Sequence, residues 1–176
     1  MSQTTSERFL FCPQCGHART DVGGNPLSCT NCGFKHYFGP AVAVGGIIVD
    51  SHGRILFLRR ARDPGKGKLG LPGGFVDLNE TAEAALAREV IEEVGLQVTS
   101  IQYLATFLNS YRYLGTDIPV LDIFYVCRVD SFDSMEVAPE EVKQVEFLLP
   151  LEQHLNEMAF VSNRCAVELF AAQRAK

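Results

Sequence analysis

An α/β layered domain behind a small metal-stapled module is the fold class this chain of 176 residues predicts. Three observations carry it: strand-like runs mix with helical patterns after residue 40, one of the helices is clearly amphipathic, and four cysteines stand near the front as two Cys-x-x-Cys pairs. With 47% hydrophobic residues the chain can bury one good core plus a small module, so two domains are expected, residues 1–38 and 39–176.

Cys12-Pro13-Gln14-Cys15-Gly16 and Cys29-Thr30-Asn31-Cys32-Gly33 are separated by thirteen residues. Each pair presents two thiolates from a tight turn, and Cys12, Cys15, Cys29 and Cys32 together make the closed tetrahedral set of a structural Zn²⁺ site, a zinc ribbon. Phe9-Leu10-Phe11 is too short for the apolar core of a leader peptide. The chain therefore reads as cytoplasmic and reducing, where such pairs favour metal over disulfides. Through residue 40 the cations are Arg8, Arg19 and Lys35 against Glu7 and Asp21, which is no basic patch. That balance and the net charge of −5 argue against nucleic acid as a partner. No apolar run approaches membrane-spanning length, so no membrane partner is expected.

Ala41 to Val49 reads as a buried strand, Asp50-Ser51-His52-Gly53 as a turn, and Arg54 to Arg60 as a second strand. Six of the sixteen basic residues fall between Arg54 and Lys68, namely Arg54, Arg59, Arg60, Arg62, Lys66 and Lys68, either an exposed strand end and loop or a phosphate-binding run. Leu71-Pro72-Gly73-Gly74-Phe75-Val76 then supplies a glycine turn that lets backbone approach a ligand. From Ala82 to Val94 the pattern is helical, with Asn79 or Thr81 as N-cap and Gly95 beyond the end. At about 100° per residue, Ala84, Ala87, Val90, Ile91 and Val94 share an apolar face, with Glu89, Glu92 and Glu93 opposite. Ser100 to Leu108, Pro119 to Val129 and Val145 to Leu148 read as further strands. Leu151 to Met158 and Asn163 to Lys176 read as helices, the second capped by Ser162. Cys127 and Cys165 read as core thiols.

Carboxylates in the last helical turn oppose the macrodipole, and Arg88 ahead of Glu92 is the weaker order for an i,i+4 ion pair. Helix stability therefore does not explain them. Three carboxylates within one and a half turns raise one another's pKa unless a cation intervenes, and oxygen-only donors suit Mg²⁺ or Mn²⁺. Hard metal ions in turn suit phosphate.

Gly74, five residues, Glu80, seven residues and then Arg88-Glu89-Val90-Ile91-Glu92-Glu93-Val94-Gly95-Leu96 resembles the Nudix box at each of its seven fixed and two apolar positions. The resemblance implies an α/β/α sandwich with a mixed sheet and hydrolysis of a nucleoside diphosphate linked to another moiety. It implies that Glu89 and Glu93 are metal ligands, that Glu92 binds metal or positions water, and that Arg88 orients the glutamates. Glu80 completes the loop-to-helix geometry, and a carbonyl of Gly73 or Gly74 is a further ligand. Glu140, Glu141 and Glu146 are candidates for the base. The family includes homodimers, although no apolar stripe in this chain marks one.

A zinc ribbon ahead of a Nudix domain resembles the NADH pyrophosphatases, but the Ser-Gln-Pro-Trp-Pro-Phe-Pro signature of that group is absent and the chain has no tryptophan. Met158-Ala159-Phe160-Val161-Ser162 is similar to the Leu-Ala-Phe-x-Ser segment of zinc-ribbon Nudix proteins acting on FAD or ADP-ribose. The expected substrate is thus a dinucleotide or ADP-sugar, with Arg59, Tyr111, Tyr113, Asp122 and Glu141 as candidate substrate contacts. A non-catalytic nucleotide sensor with a partner-binding ribbon and an RNA 5′-end pyrophosphohydrolase are the competing readings.

Overall fold

The structure, a computed structural model, describes residues 4–113 and 116–174, with the side chain of Tyr113 outside the description. These residues form two compact units, Met1–Ala41 with Ser110–Val120, and Val42–Asn109 with Leu121–Lys176.

In the first unit a four-residue helix, α1 (Thr5–Arg8), precedes a two-stranded antiparallel hairpin of β1 (Leu27–Ser28) and β2 (Lys35–His36). Such short elements bury little, and among the described residues of this unit Leu27 is the one large side chain that is fully enclosed. Arg19 ties the segment together by donating to the carbonyls of Ser6, Phe9 and Asp21.

The second unit holds the layered core. β3 (Ala41–Ile48), β7 (Thr116–Val129) and β6 (Val98–Tyr113) form one sheet in the order β3-β7-β6. β5 (Leu69–Gly70), β4 (Ile55–Arg60) and β8 (Val142–Leu148) form another in the order β5-β4-β8, with β4 antiparallel to both neighbours. Alternate side chains of the same strands enter two separate cores. Val44, Leu56, Leu58, Tyr125 and Cys127 pack with Ala85, Leu86, Val90 and Val94 of α2 (Ala82–Val94). Ile47, Ile55, Phe57 and Phe124 pack with Leu155 of α3 (Glu152–Asn156) and with Ala166, Val167 and Phe170 of α4 (Val161–Arg174). Strands covered on both faces need continuous apolar runs, which is what Ile55 to Leu58 supplies. Among the described residues no helix is long and apolar enough to cross a membrane.

Several expectations shift. α2 has the expected bounds, and Thr81 rather than Asn79 caps it, accepting from the Ala84 N–H at 3.2 Å. Its buried face is rotated from the expected one: Ala85 and Leu86 are enclosed, whereas Ala84 and Ile91 are exposed. The reason is the i,i+4 ladder Leu86-Val90-Val94, a bulkier stripe than one through Ala84 and Ala87. Ser162 is no cap, because α4 starts at Val161 and Ser162 points into the protein against Asp122. β5 has only two residues and no alternation to reveal it. Cys127 is a core thiol, but Cys165 is only half-buried.

Candidate active site

Two backbone constraints create the acidic site. Gly73 lies at φ +141°, and a side chain there would collide with the Val44 carbonyl, so the chain can pass this close to β3 only without a Cβ. At Gly74 a Cβ would stand 2.5 Å from a Glu89 carboxylate oxygen. The loop is pinned to β3 by Gly46 N–H donating to the Pro72 carbonyl and Val44 N–H to the Gly74 carbonyl, both at 2.8 Å. From the other side Leu71 N–H donates to Asn163 Oδ1 of α4 at 3.2 Å.

The loop therefore presents Gly73 N–H to Glu93, whose Oε2 accepts it at 2.8 Å. Glu93 is buried on the inner side of α2, only 8% exposed, with no ion-pair partner among the described residues. Burial pushes its carboxyl up to about 8 against the pull of that hydrogen bond, and the charges of Glu89 and Glu141 raise it further. Glu89 is raised too, chiefly by burial, with Glu92 and Glu141 adding to it. Glu141, on the segment before β8, thus belongs to the same acidic field, and its carboxylate is paired with Arg62 at 2.7 Å.

Arg88 organises the outer side. Nε and Nη2 take the two oxygens of Glu80 at 3.2 and 2.7 Å, Nη1 reaches Glu89 at 2.9 Å and Glu92 at 3.0 Å, and Nη2 also donates to the Phe75 carbonyl. The planar fork of arginine suits this role and a lysine would not. Glu80 is held below the usual carboxylate range by Arg88, helped by the Asp77 N–H. Arg88 holds Glu89 and Glu92 while Glu93 hangs from the glycine loop, so the carboxylates stay further apart than the sulfurs of the first unit. Their donor set nonetheless fits a hard divalent cation: oxygen ligands only, two of them with raised pKa.

In the first unit Cys12, Cys15, Cys29 and Cys32 bring their sulfurs within 4.8 Å of one another, alone among the described residues in gathering metal-binding atoms so closely. Cys12 to Cys32 and Cys15 to Cys29 are each 3.7 Å. A tetrahedron with Zn–S bonds of about 2.3 Å has edges of about 3.8 Å, so the sulfurs fit that ion. Hydrogen bonds from the His17 backbone and the Asn31 amide bring the Cys15 thiol down to about 6. At Cys32 the Phe34 N–H pulls the same way, but burial and the neighbouring sulfurs outweigh it and push the thiol up to about 12. Four thiolates at one point require a cation.

Other expected contacts are spread out. Arg59 is engaged by Glu146 and Glu157, each at 2.7 Å, and by the Gly67 carbonyl. Its neighbour Arg60 is the arginine whose charge reaches Glu93, and its guanidinium lies 5.1 Å from the Phe160 ring centroid. Strand alternation from Leu56 and Leu58 would have pointed to Arg60 rather than Arg59. Asp122 is buried and accepts from Ser162 Oγ and Asn109 Nδ2. Tyr111 falls in the first unit, and the Tyr113 side chain lies outside the described residues. Asn163 had no sequence signal, since a helix-start asparagine has many uses.

Residues 39–170 match the family model of the NUDIX domain. Over 114 residues the chain is 37% identical to the ADP-ribose pyrophosphatase of Methanocaldococcus jannaschii, covering 65% of this chain and 64% of that protein. Over 106 residues it is 35% identical to the NAD-capped RNA hydrolase NudC of Stutzerimonas stutzeri, covering 58% of this chain and 37% of that one. The match thus spans just under two thirds of the first relative and little more than a third of the second. A crystal structure of a Nudix hydrolase from Nitrosomonas europaea superposes with TM-score 0.69 at 27% identity, covering 94% of this chain and 92% of that one.

Proposed function

Because the chain belongs to the Nudix family, we propose that it is a divalent-metal-dependent pyrophosphohydrolase acting on a nucleoside diphosphate linked to another moiety, a dinucleotide or ADP-sugar such as FAD, ADP-ribose or NADH. The observation that carries this reading is the buried Glu93 carboxylate, tied to the Gly73 N–H on the helix that also carries Glu89 and Glu92, with no ion pair of its own among the described residues.

Glu89 and Glu93, with Glu92 and the Gly73 carbonyl, would hold Mg²⁺ or Mn²⁺; the Gly74 carbonyl already accepts the Val44 N–H. When bound, such an ion polarises a phosphoryl oxygen and lowers the pKa of coordinated water. Arg88 keeps Glu89 and Glu92 at fixed rotamers, with Glu80 as the second anchor of its fork. Glu141, on a separate segment whose charge is felt at Glu89 and Glu93, would accept the proton of the attacking water, and Arg62 pairs with it. The four cysteines hold Zn²⁺ as a structural ion, closed to chemistry. The similarity to an ADP-ribose pyrophosphatase supports the ADP-linked class.

Phosphate-coupled turnover with Mg²⁺ and with Mn²⁺ across FAD, NADH, ADP-ribose, diadenosine polyphosphates, nucleoside triphosphates and NAD-capped RNA tests the proposal. A clear preference for one dinucleotide or ADP-sugar supports it. Nucleotide binding with no turnover anywhere on the panel would instead make the domain a sensor.

Asn163 is a positioning residue in this scheme, because its acceptor fixes the loop whose Gly73 N–H fixes Glu93. Asn163→Leu leaves the Leu71 N–H unpaired and is expected to lower kcat by about tenfold and weaken Mn²⁺ binding, in the range of supporting residues around metal ligands. Asn163→Asp keeps the acceptor and should recover most of both. Equal loss in the two variants would remove the positioning role.

A further inference from the structure

β4 and β8 pair residue for residue from Ile55 opposite Leu148 to Arg59 opposite Gln144, and then the register slips so that Arg60 lies opposite Val142. Lys143 is the residue left over. An extra residue in one strand bends it and re-aims side chains. Beside the slip lies a cavity of about 370 Å³, lined by Arg60, Lys66 and Lys143 with Ala61, Gly67, Pro139 and Val142. No carboxylate is in that lining, although the chain as a whole carries a net charge of −5. Neither lysine has an ion-pair partner among the described residues, whereas Arg59, one residue from the slip, has two.

Three cations around one cavity repel one another and favour an anion between them. Its size falls within the range of small-molecule sites, about 300–1,000 Å³. Arg60 is braced for this use: Nε donates to the Pro64 carbonyl at 2.8 Å, and Phe160 supports the guanidinium. The cavity also adjoins the acidic cluster. Glu141 lies in sequence between the wall residues Pro139 and Val142, and its carbonyl accepts the N–H of Ala61, another wall residue, at 2.8 Å. The charge of Arg60 is felt at Glu93.

We propose that this cavity is a phosphate subsite, in which Lys66, Lys143 and Arg60 bind the phosphate of a nucleotide or phosphorylated sugar, namely the half of the substrate farther from the metal-bound phosphoryl group. Its place in catalysis rests on the pyrophosphohydrolase reading; the binding of a phosphorylated ligand does not.

The test is calorimetric titration of AMP, ribose 5-phosphate and adenosine in metal-free buffer without added Mg²⁺ or Mn²⁺, which closes the route through a carboxylate-held ion and leaves the cysteine-bound zinc in place. Parent protein should bind AMP and ribose 5-phosphate at least tenfold more tightly than adenosine. Lys66→Gln and Lys143→Gln, singly and together, should weaken both phosphorylated ligands by about tenfold per lysine, leave adenosine as it was, and raise KM more than they lower kcat. Both side chains are exposed, so these variants should fold. Phosphate affinity that is unchanged in the double variant, or absent in the parent, overturns the subsite. Glu93→Gln separates the two readings: turnover in Mg²⁺ near that of the parent would sink the reaction assignment, while its AMP affinity in the same titration reports on the cavity alone.

Discussion

Turnover by Glu93→Gln is expected to fall by about three orders of magnitude in Mg²⁺, because one ligand oxygen and one negative charge vanish without a change of size. The fold should persist, since glutamine oxygen can still accept the Gly73 N–H. The same variant makes a second, opposite prediction. Burial raises the Glu93 carboxyl to about 8 in the folded chain, against an ordinary value of 4.5. The native state therefore keeps a proton that the unfolded state gives up between those two values, and stability without added Mg²⁺ or Mn²⁺ declines as pH rises from about 4.5 to about 8. Below that window the group costs nothing, because both states are protonated. Glutamine stays neutral throughout, so without added Mg²⁺ or Mn²⁺ at pH 8 Glu93→Gln should melt above the parent, and Mg²⁺ should raise the parent's Tm more at pH 8 than at pH 6 while barely moving the variant. Thermal melts over pH 5 to 8 with and without Mg²⁺, run beside single-substrate turnover, test both halves. Activity near that of the parent would remove Glu93 from the metal site, and a Tm below the parent at pH 8 would show that its charge is not buried at a cost.

Cys15→Ser is expected to take the bound zinc from one ion per chain to none and to unfold the first unit, leaving the second. Residues 4–40 of that unit supply a four-residue helix, two two-residue strands and, among the described residues, one fully enclosed large side chain, too little burial to hold this segment without the ion. Cys15 suits the test because its thiol already lies near 6, held there by the His17 backbone and the Asn31 amide. Metal analysis, proteolysis of residues 4–41 and turnover per folded molecule would be measured together. Zinc retained at one per chain with the first unit protected would contradict the four-sulfur site. Loss of turnover in step with loss of zinc, with the second unit still folded, would contradict a purely structural ion.

The chemistry was legible where function demands specific residues at specific spacings. Glu80, Arg88, Glu89, Glu92 and Glu93 could be read from one line of sequence because they sit on one helix and the loop feeding it, and helical geometry carries spacing into space. The cysteine pairs were legible for the same reason, each pair being a local turn. What depended on distant segments meeting was not. Which of two adjacent arginines faces the acids was decided by strand parity and the slip opposite Lys143, so Arg59 was engaged by Glu146 and Glu157 while Arg60 reached Glu93. Ser162 looked like a cap and became the partner of a buried carboxylate 40 positions away. The face of α2 was misjudged because periodicity gives the angle between residues but not which stripe meets a sheet, and that choice went to the bulkier Leu86-Val90-Val94 ladder.

The sequence by itself therefore determined the family, the two-part organisation of motifs and the candidate ligands of both metals, all of which are short-range properties of the chain. Tertiary structure alone decided which carboxylate is buried, which segment anchors the glycine loop and where three cations share a cavity. Each of these turns on desolvation and on packing between residues far apart in sequence, and burial is a property of the folded molecule rather than of any local pattern.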